Sequence, residues 1–267
     1  MDGEKNRIFA KNNRGMRHKY FELDSESCFF PSVELADRDG LLAFGGDLSV
    51  ERLIMAYANG IFPWYSEDEP ILWWSLDPRL VIAPGEMKVS KSLRHTLRTS
   101  KFEVKIDNDF EGVMRKCALT PREGQDGTWI LEEMIEAYVR LHRFGVAHSF
   151  ETYFEGELVG GLYGVSLGKL FCGESMFHTM TDASKVAFWH LHDFLGNHGF
   201  ELIDCQQETN HLVSLGAYTI PRREYLERVN ELIQMPTLKG NWGDGTAEEY
   251  YLQLRNPDPI PLSYCFL

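Results

Sequence analysis

Between Val146 and Phe177 the chain repeats one local pattern three times, and that repetition restricts the fold more than any other feature. The runs VAHSFETYF (146–154), ELVGGLYGV (157–165) and KLFCGESMF (169–177) are rich in β-branched and aromatic residues. Only EG and SLG separate them, connections short enough for hairpins. Three such strands in quick succession read as an antiparallel meander of hairpins, with helical patterns before and after it in the chain.

Those helices can be read from spacing and punctuation. Leu131 to Phe144 has apolar residues at 131, 134, 135, 138 and 141, with Gly145 as its stop. Upstream, FEVKI (102–106) alternates like a strand, and Asn108 is placed to cap a helix running through Cys117. Downstream, Asp182 opens a helix through Leu195, and LIDCQ (202–206) reads as the next strand. A short helix near Thr209–Leu215, an extended piece and a last helix, PRREYLERVNELI, follow; proline suits the first turn. Near the N-terminus, Ser49 as cap, Glu51 in the first turn and Gly60 as stop predict a helix over Val50–Asn59 with Leu53, Ile54 and Tyr57 inward. Residues 236–267 show no clear period and read as a tail on the surface. The result is an α/β (α+β) layer arrangement, with the element order of the GNAT acyltransferase fold. Element order alone is an analogy and not a function.

Composition narrows the class. With 267 residues, 43% hydrophobic and 13% aromatic, the chain can bury a sizeable core. No stretch approaches the roughly 20 apolar residues of a membrane helix, and the N-terminus lacks the apolar core of a signal peptide, so a cytoplasmic protein is expected. Five cysteines (28, 117, 172, 205, 265) without a CxxC pair read as reduced thiols. A net charge of −13 argues against general nucleic-acid coating. Locally the balance reverses: from Arg79 to Lys101 six basic residues face one acid, Glu86. Lys91, Arg94, Arg98 and Lys101 fall on one helical face. Such a face is more often a solvated helix surface than a phosphate-binding stripe. Likewise Trp64, Trp73 and Trp74 make a small aromatic core on the commoner reading and a stacking surface for a base on the other.

Polar residues inside apparently buried strands point to chemistry. Alternation places Leu202, Asp204 and Gln206 on one face and Ile203 and Cys205 on the other. The same rule groups Cys172, Glu174 and Met176 against Phe171, Ser175 and Phe177. Where the two strands approach, Glu174, Asp204 and Gln206 would converge beside an apolar pocket containing Met176, a place suited to an apolar side chain and an amine. The competing meaning is a buried polar network that only ties strands together. Metal is not expected: His190 and His192 are two apart on a helix and point apart, while His148 and His211 are lone residues. Walker A and dinucleotide fingerprints are absent, and so is the R/Q-x-x-G-x-G/A loop that would hold coenzyme A.

The stretches LADRDGLLAFGGDLS, GIFPWYSEDEPILWWSLDPR, GTWI, AHSFE, GELVGGLYGV, FCGESMF, DASK, LIDCQ, SLGA and IPRREY closely resemble the bacterial leucyl/phenylalanyl-tRNA–protein transferases, collinearly over about residues 30–230. The resemblance implies a small N-terminal domain (1–100), a GNAT-like acyltransferase domain (101–235) and a C-terminal tail (236–267). It implies transfer of Leu, Phe or Met from aminoacyl-tRNA to the N-terminal Arg or Lys of acceptor proteins, marking them for N-end rule degradation, by a monomer needing neither cofactor nor metal and no membrane. The donor being tRNA accounts for the missing coenzyme loop. By the same resemblance Trp64 and Trp129 receive the terminal adenosine, and Leu162, Phe171 and Met176 form the aminoacyl pocket. Lys88, Lys91, Arg94 and Arg98 hold the tRNA backbone. Glu174, Asp204 and Gln206 are the implied catalytic residues. Leu162 stands where relatives carry Met, and Leu76 replaces a usual proline. Two rivals stay open: an acetyl-CoA-dependent N-acetyltransferase and a non-catalytic tRNA-binding module.

Overall fold

The computed structural model describes residues 7–11, 17–120, 128–252 and 254. The chain begins with strands β1 (Arg7–Lys11), β2 (Arg17–Leu23) and β3 (Leu41–Gly45), then helix α1 (Val50–Ala58) and strands β4 (Phe62–Pro63) and β5 (Leu72–Trp74). These strands form a sheet in the order β1-β2-β3-β5-β4. Ser49 caps α1 by accepting from the Arg52 N–H, and Leu53, Ile54 and Tyr57 are buried, as the sequence predicts.

The larger sheet is built from β6 (Arg79–Ile82), helix α2 (Lys91–Thr99), β7 (Glu103–Ile106), helices α3 (Phe110–Ala118) and α4 (Glu132–Phe144), and the meander β8 (Ala147–Phe154), β9 (Glu157–Leu167), β10 (Leu170–His178). Helix α5 (Ala183–Asn197), β11 (Leu202–Gln206), α6 (Asn210–Ser214), β12 (Tyr218–Ile220) and α7 (Arg222–Leu232) complete it. The strand order is β12-β6-β11-β10-β9-β8-β7. This is the expected mixed α/β succession of elements. Of the segment 1–100, the stretch from Arg79 onward builds into this sheet, β6 lying between β11 and β12.

Helices cover both faces. Apolar side chains of α1, α3, α4 and α7 pack with Val81, Tyr163, Val165, Cys172 and Leu202 on one face. On the other, α2 and α5 pack with Leu80, Phe150, Leu162, Phe171 and Ile203. Three glycines of β9 permit this. A Cβ on Gly160 would meet Ala183 at 2.6 Å, and one on Gly164 would meet the Cys172 carbonyl at 2.3 Å. Helix α4 ends as predicted at Gly145, whose φ of 88° is left-handed. The α3 cap differs by one residue from expectation. Asp109 accepts from the Gly112 N–H, while the Asn108 N–H goes to Glu151 and its side chain to the Tyr153 hydroxyl.

The stretch after 235 departs more from its expected surface course. It forms a hairpin, β13 (Thr237–Lys239) with β14 (Glu248–Tyr250), and inserts Trp242, only 5% exposed, under the α5 face. Short strands joined by a polar turn give no periodic signal, which is why the sequence conceals it. Among the described residues no helix is long and apolar enough to cross a membrane.

Candidate active site

The parallel neighbours β10 and β11 pair over only three positions, Leu170–Cys172 against Leu202–Asp204. The residues just past that ladder, Gly173–Met176 and Cys205–Gln207, line a cleft of about 410 Å³. A crevice at the carboxyl ends of parallel strands is a common place for ligands in α/β sheets.

Two bulges decide what faces the cleft. On β10, Gly173 pairs with Gly164 and Ser175 with Tyr163, so Glu174 is the extra, unpaired residue. The bulge also turns Met176 to the side of Phe171 and Leu162, with Cys172 and Phe177 on the opposite face. Simple alternation had grouped Met176 with Cys172; the inserted residue reverses that. On β11 a second bulge separates Asp204 from Gln206. Asp204 pairs with Val81 and Gln206 with Leu80, two residues that pack on opposite faces. The two side chains differ in burial: Asp204 is fully buried, whereas Gln206 is partly buried and lines the cleft. Gln206 has φ 59°, a left-handed conformation costly for a non-glycine residue and common at functional sites.

Glu174 and Gln206 meet on the cleft wall, the Gln206 Nε2 donating to Glu174 Oε1 at 2.7 Å. The Tyr138 hydroxyl donates to the other carboxylate oxygen at 3.2 Å, and the Tyr57 and Tyr138 hydroxyls bond each other behind it. Burial pushes the Glu174 carboxyl up to about 7, against the lowering effect of hydrogen bonds from Tyr57, Gln206 and Tyr138.

Asp204 does not line the cleft. It is fully buried behind it and receives four hydrogen bonds. Arg79 donates from Nε at 2.8 Å and Nη2 at 2.7 Å, the Tyr225 hydroxyl donates at 2.7 Å and the Gln206 backbone N–H at 2.8 Å. Arg79 is itself buried and lies between the rings of Phe62 and Tyr225. The bidentate ion pair compensates the cost of burying both charges and fixes the start of the Gln206 bulge. Arg79, Tyr225, Tyr57 and Tyr138 were not singled out as site residues from sequence. An arginine opening the apolar run RLVI was the one available signal.

The inner wall of the cleft is apolar, made by Leu162, Phe171, Met176, Phe188, Leu191 and Ile203. Trp64 and Trp129, both half-buried, also line it, as does Leu76. Trp73 is instead a core residue that donates to the Gly45 carbonyl, and Trp74 braces the Trp64 backbone with a 2.7 Å hydrogen bond. Lys88, Lys91, Arg94 and Arg98 lie outside the cleft and are exposed. None of these four forms an ion pair with a described residue. Helix α2, which carries three of them, is tied to α5 by a 3.1 Å hydrogen bond from Thr96 to Asp182.

Comparison with known proteins identifies the family. The family model for leucyl/phenylalanyl-tRNA protein transferase matches residues 81–230, and that for its N-terminal domain matches 46–77. The chain belongs to this family. A leucyl/phenylalanyl-tRNA–protein transferase from Anaeromyxobacter sp. (strain Fw109-5) is 59% identical over 80% of this chain and 91% of its own. One from Solidesulfovibrio magneticus is 55% identical over 80% and 86%. The chain is thus a transferase, of a family whose reaction carries an aminoacyl group from tRNA to a protein. A solved GCN5-related N-acetyltransferase-like protein from Streptococcus suis is 12% identical over 61% of each chain, with a TM-score of 0.33 that carries no argument. The β6 arginine and the two bulges of the transferase lie within the matched 81–230 region or immediately before it.

Proposed function

We propose that this transferase moves leucine, phenylalanine or methionine from aminoacyl-tRNA to the N-terminal arginine or lysine of acceptor proteins, in the cytoplasm, marking them for N-end rule degradation. The observation that carries the reading is one cleft with an apolar end, a Glu174–Gln206 wall and two tryptophans. The apolar end takes the aminoacyl side chain, and Trp64 and Trp129 take the terminal adenosine by stacking. The exposed cations Lys88, Lys91, Arg94 and Arg98 hold tRNA phosphates.

The chemistry is aminolysis of an ester that is already activated. The neutral α-amine, with a typical pKa of about 7.7–8.0, attacks the carbonyl carbon. A C–N bond forms, the C–O bond to the ribose breaks, and the ribose oxygen leaves with a proton. Because the Gln206 amide N–H is engaged by Glu174, its carbonyl oxygen is free to accept from the incoming amine. Glu174, with its raised pKa, is suited to take that proton from the amine near neutral pH and pass it to the departing ribose oxygen. Asp204 acts one step back, as a positioning residue for the Gln206 backbone.

Incubation with labelled Phe-tRNA and a peptide beginning with arginine tests this. Label should pass to that peptide and not to one beginning with alanine. Binding of tRNA without transfer would overturn the reading, and coenzyme A binding by calorimetry would indicate an acetyl donor instead.

A further inference from the structure

The apolar end of the cleft has a second layer behind it, and that layer comes from the C-terminal hairpin. We infer that Trp242 sets the depth of the aminoacyl pocket by backing Phe171. This inference rests on the pocket reading given above and adds a residue that never touches the substrate.

Phe171 lines the cleft and Trp242 does not, but their ring centroids are 6.2 Å apart within one apolar cluster. Phe194 stacks on the indole at 4.8 Å, while Phe150 and Phe200 meet it edge-on at 6.5 and 5.7 Å. On its remaining side the indole lies flat against His148, with centroids 3.6 Å apart and planes 8° apart. Five rings therefore surround it, of which only Phe171 also faces the cleft.

The indole is also fixed through its backbone. The Trp242 N–H donates to Asp107 Oδ2 at 2.8 Å, and its ring N–H to the Leu238 carbonyl at 2.9 Å. Asp107 is buried, and its Oδ2 also bonds His148 Nδ1 at 2.8 Å. Asn241 adds a hydrogen bond to the Asp107 carbonyl, and Thr237 accepts from the Gly168 N–H. A side chain held this way cannot retreat, so Phe171 cannot retreat either. In a close-packed interior, a ring pressed from behind defines a wall as firmly as one that is covalently fixed. Removing the indole leaves space into which Phe171 can turn, deepening the cleft toward larger side chains.

The test uses the full chain, an arginine-led peptide and tRNA charged with leucine, phenylalanine or tryptophan. The readout is the ratio of kcat/KM for the tryptophan donor to that for the phenylalanine donor. Trp242→Leu should raise this ratio about tenfold or more, the scale on which pockets discriminate by size. Phe171→Leu should raise it as well, and the double variant should fall short of the product of the two. General destabilisation would lower all donors together and leave the ratio unchanged. If Trp242→Leu does not fold, Trp242→Phe is judged by the same ratio, with a smaller rise expected. A folded variant with an unchanged ratio, or additive single effects, overturns the inference. Absence of transfer by the wild type from every donor overturns the functional reading instead.

Discussion

Glu174 and Asp204 are two carboxylates in neighbouring strands with opposite surroundings. Glu174 has only neutral donors, so burial raises it to about 7, and its charged form gains as pH rises through that value. If the carboxylate is the active form, kcat/KM for transfer rises through about pH 7. Glu174→Gln should abolish that inflection and lower the rate by roughly 10²–10⁴-fold. A pH–rate profile decides; an unchanged inflection excludes Glu174 as its source. Asp204 faces the Arg79 guanidinium and serves the fold and the bulge together. Arg79→Leu strands a buried carboxylate and should cost about 3–5 kcal/mol, measured by urea unfolding. Asp204→Ala should lower kcat with little change in tRNA affinity; a normal transfer rate would remove Asp204 from the mechanism. Glu174 and Asp204 stood out in the sequence because carboxylates in apolar strands demand an explanation. Their partners Tyr57, Tyr138 and Tyr225 did not, since a tyrosine on the inner face of a helix looks like any other core residue.

Helix and strand identities follow from local spacing, but which residue faces which layer depends on pairing. The β10 bulge illustrates the difference. KLFCGESMF alternates cleanly on paper, yet Glu174 has no partner on β9, and every side chain beyond it changes face. The extra residue results from how β9 and β10 fit together, which a single strand cannot encode visibly. The glycines of β9 show the same dependence. Gly164→Ala would press a methyl against the Cys172 carbonyl and the Phe171 ring, 2.3 and 2.6 Å away. It should cost about 1–3 kcal/mol or more. Calorimetry should show a lower Tm, whereas Gly156→Ala, with open space around its Cβ, meets only the smaller penalty of its φ of 84°.

At the scale of the molecule, charge is segregated: a chain of net −13 carries a cluster of exposed cations, Lys91, Arg94 and Arg98, on α2. Replacing Lys91 and Arg94 by alanine should weaken tRNA binding whatever the aminoacyl group, and reduce the magnitude of the salt slope by about 1 per lost phosphate contact. Filter binding across a salt series measures this; an unchanged slope would show that α2 does not contact phosphate. A second buried polar group lies away from the cleft. Glu151 accepts from Ser149 and from the Asn108 and Asp109 N–H groups, and burial still raises it to about 7. A raised carboxyl stabilises the fold at low pH and loses that contribution as pH climbs through about 7. Nearby, burial lowers His148, and the His148 partner and backbone donors lower Asp107 despite burial; both effects have the opposite sign. Glu151→Gln should therefore lose less stability than the wild type between pH 5 and 8, read from Tm at each pH.

From the sequence alone came the order of elements, the caps at Ser49 and Gly145, the inward face of α1 and the mixed α/β class. All of these are set by contacts within a few residues or by a period of two or 3.6. Tertiary structure decided the rest. It fixed the two bulges, the burial of Asp204 behind the cleft with Arg79 and Tyr225, and the meeting of Glu174 with Gln206. It also brought Trp242 beneath Phe171. These depend on groups tens to more than a hundred residues apart, such as Arg79 and Asp204, whose proximity is a property of the packed sheet. Local spacing carries no information about such distances, so they become visible only once the strands have found their partners.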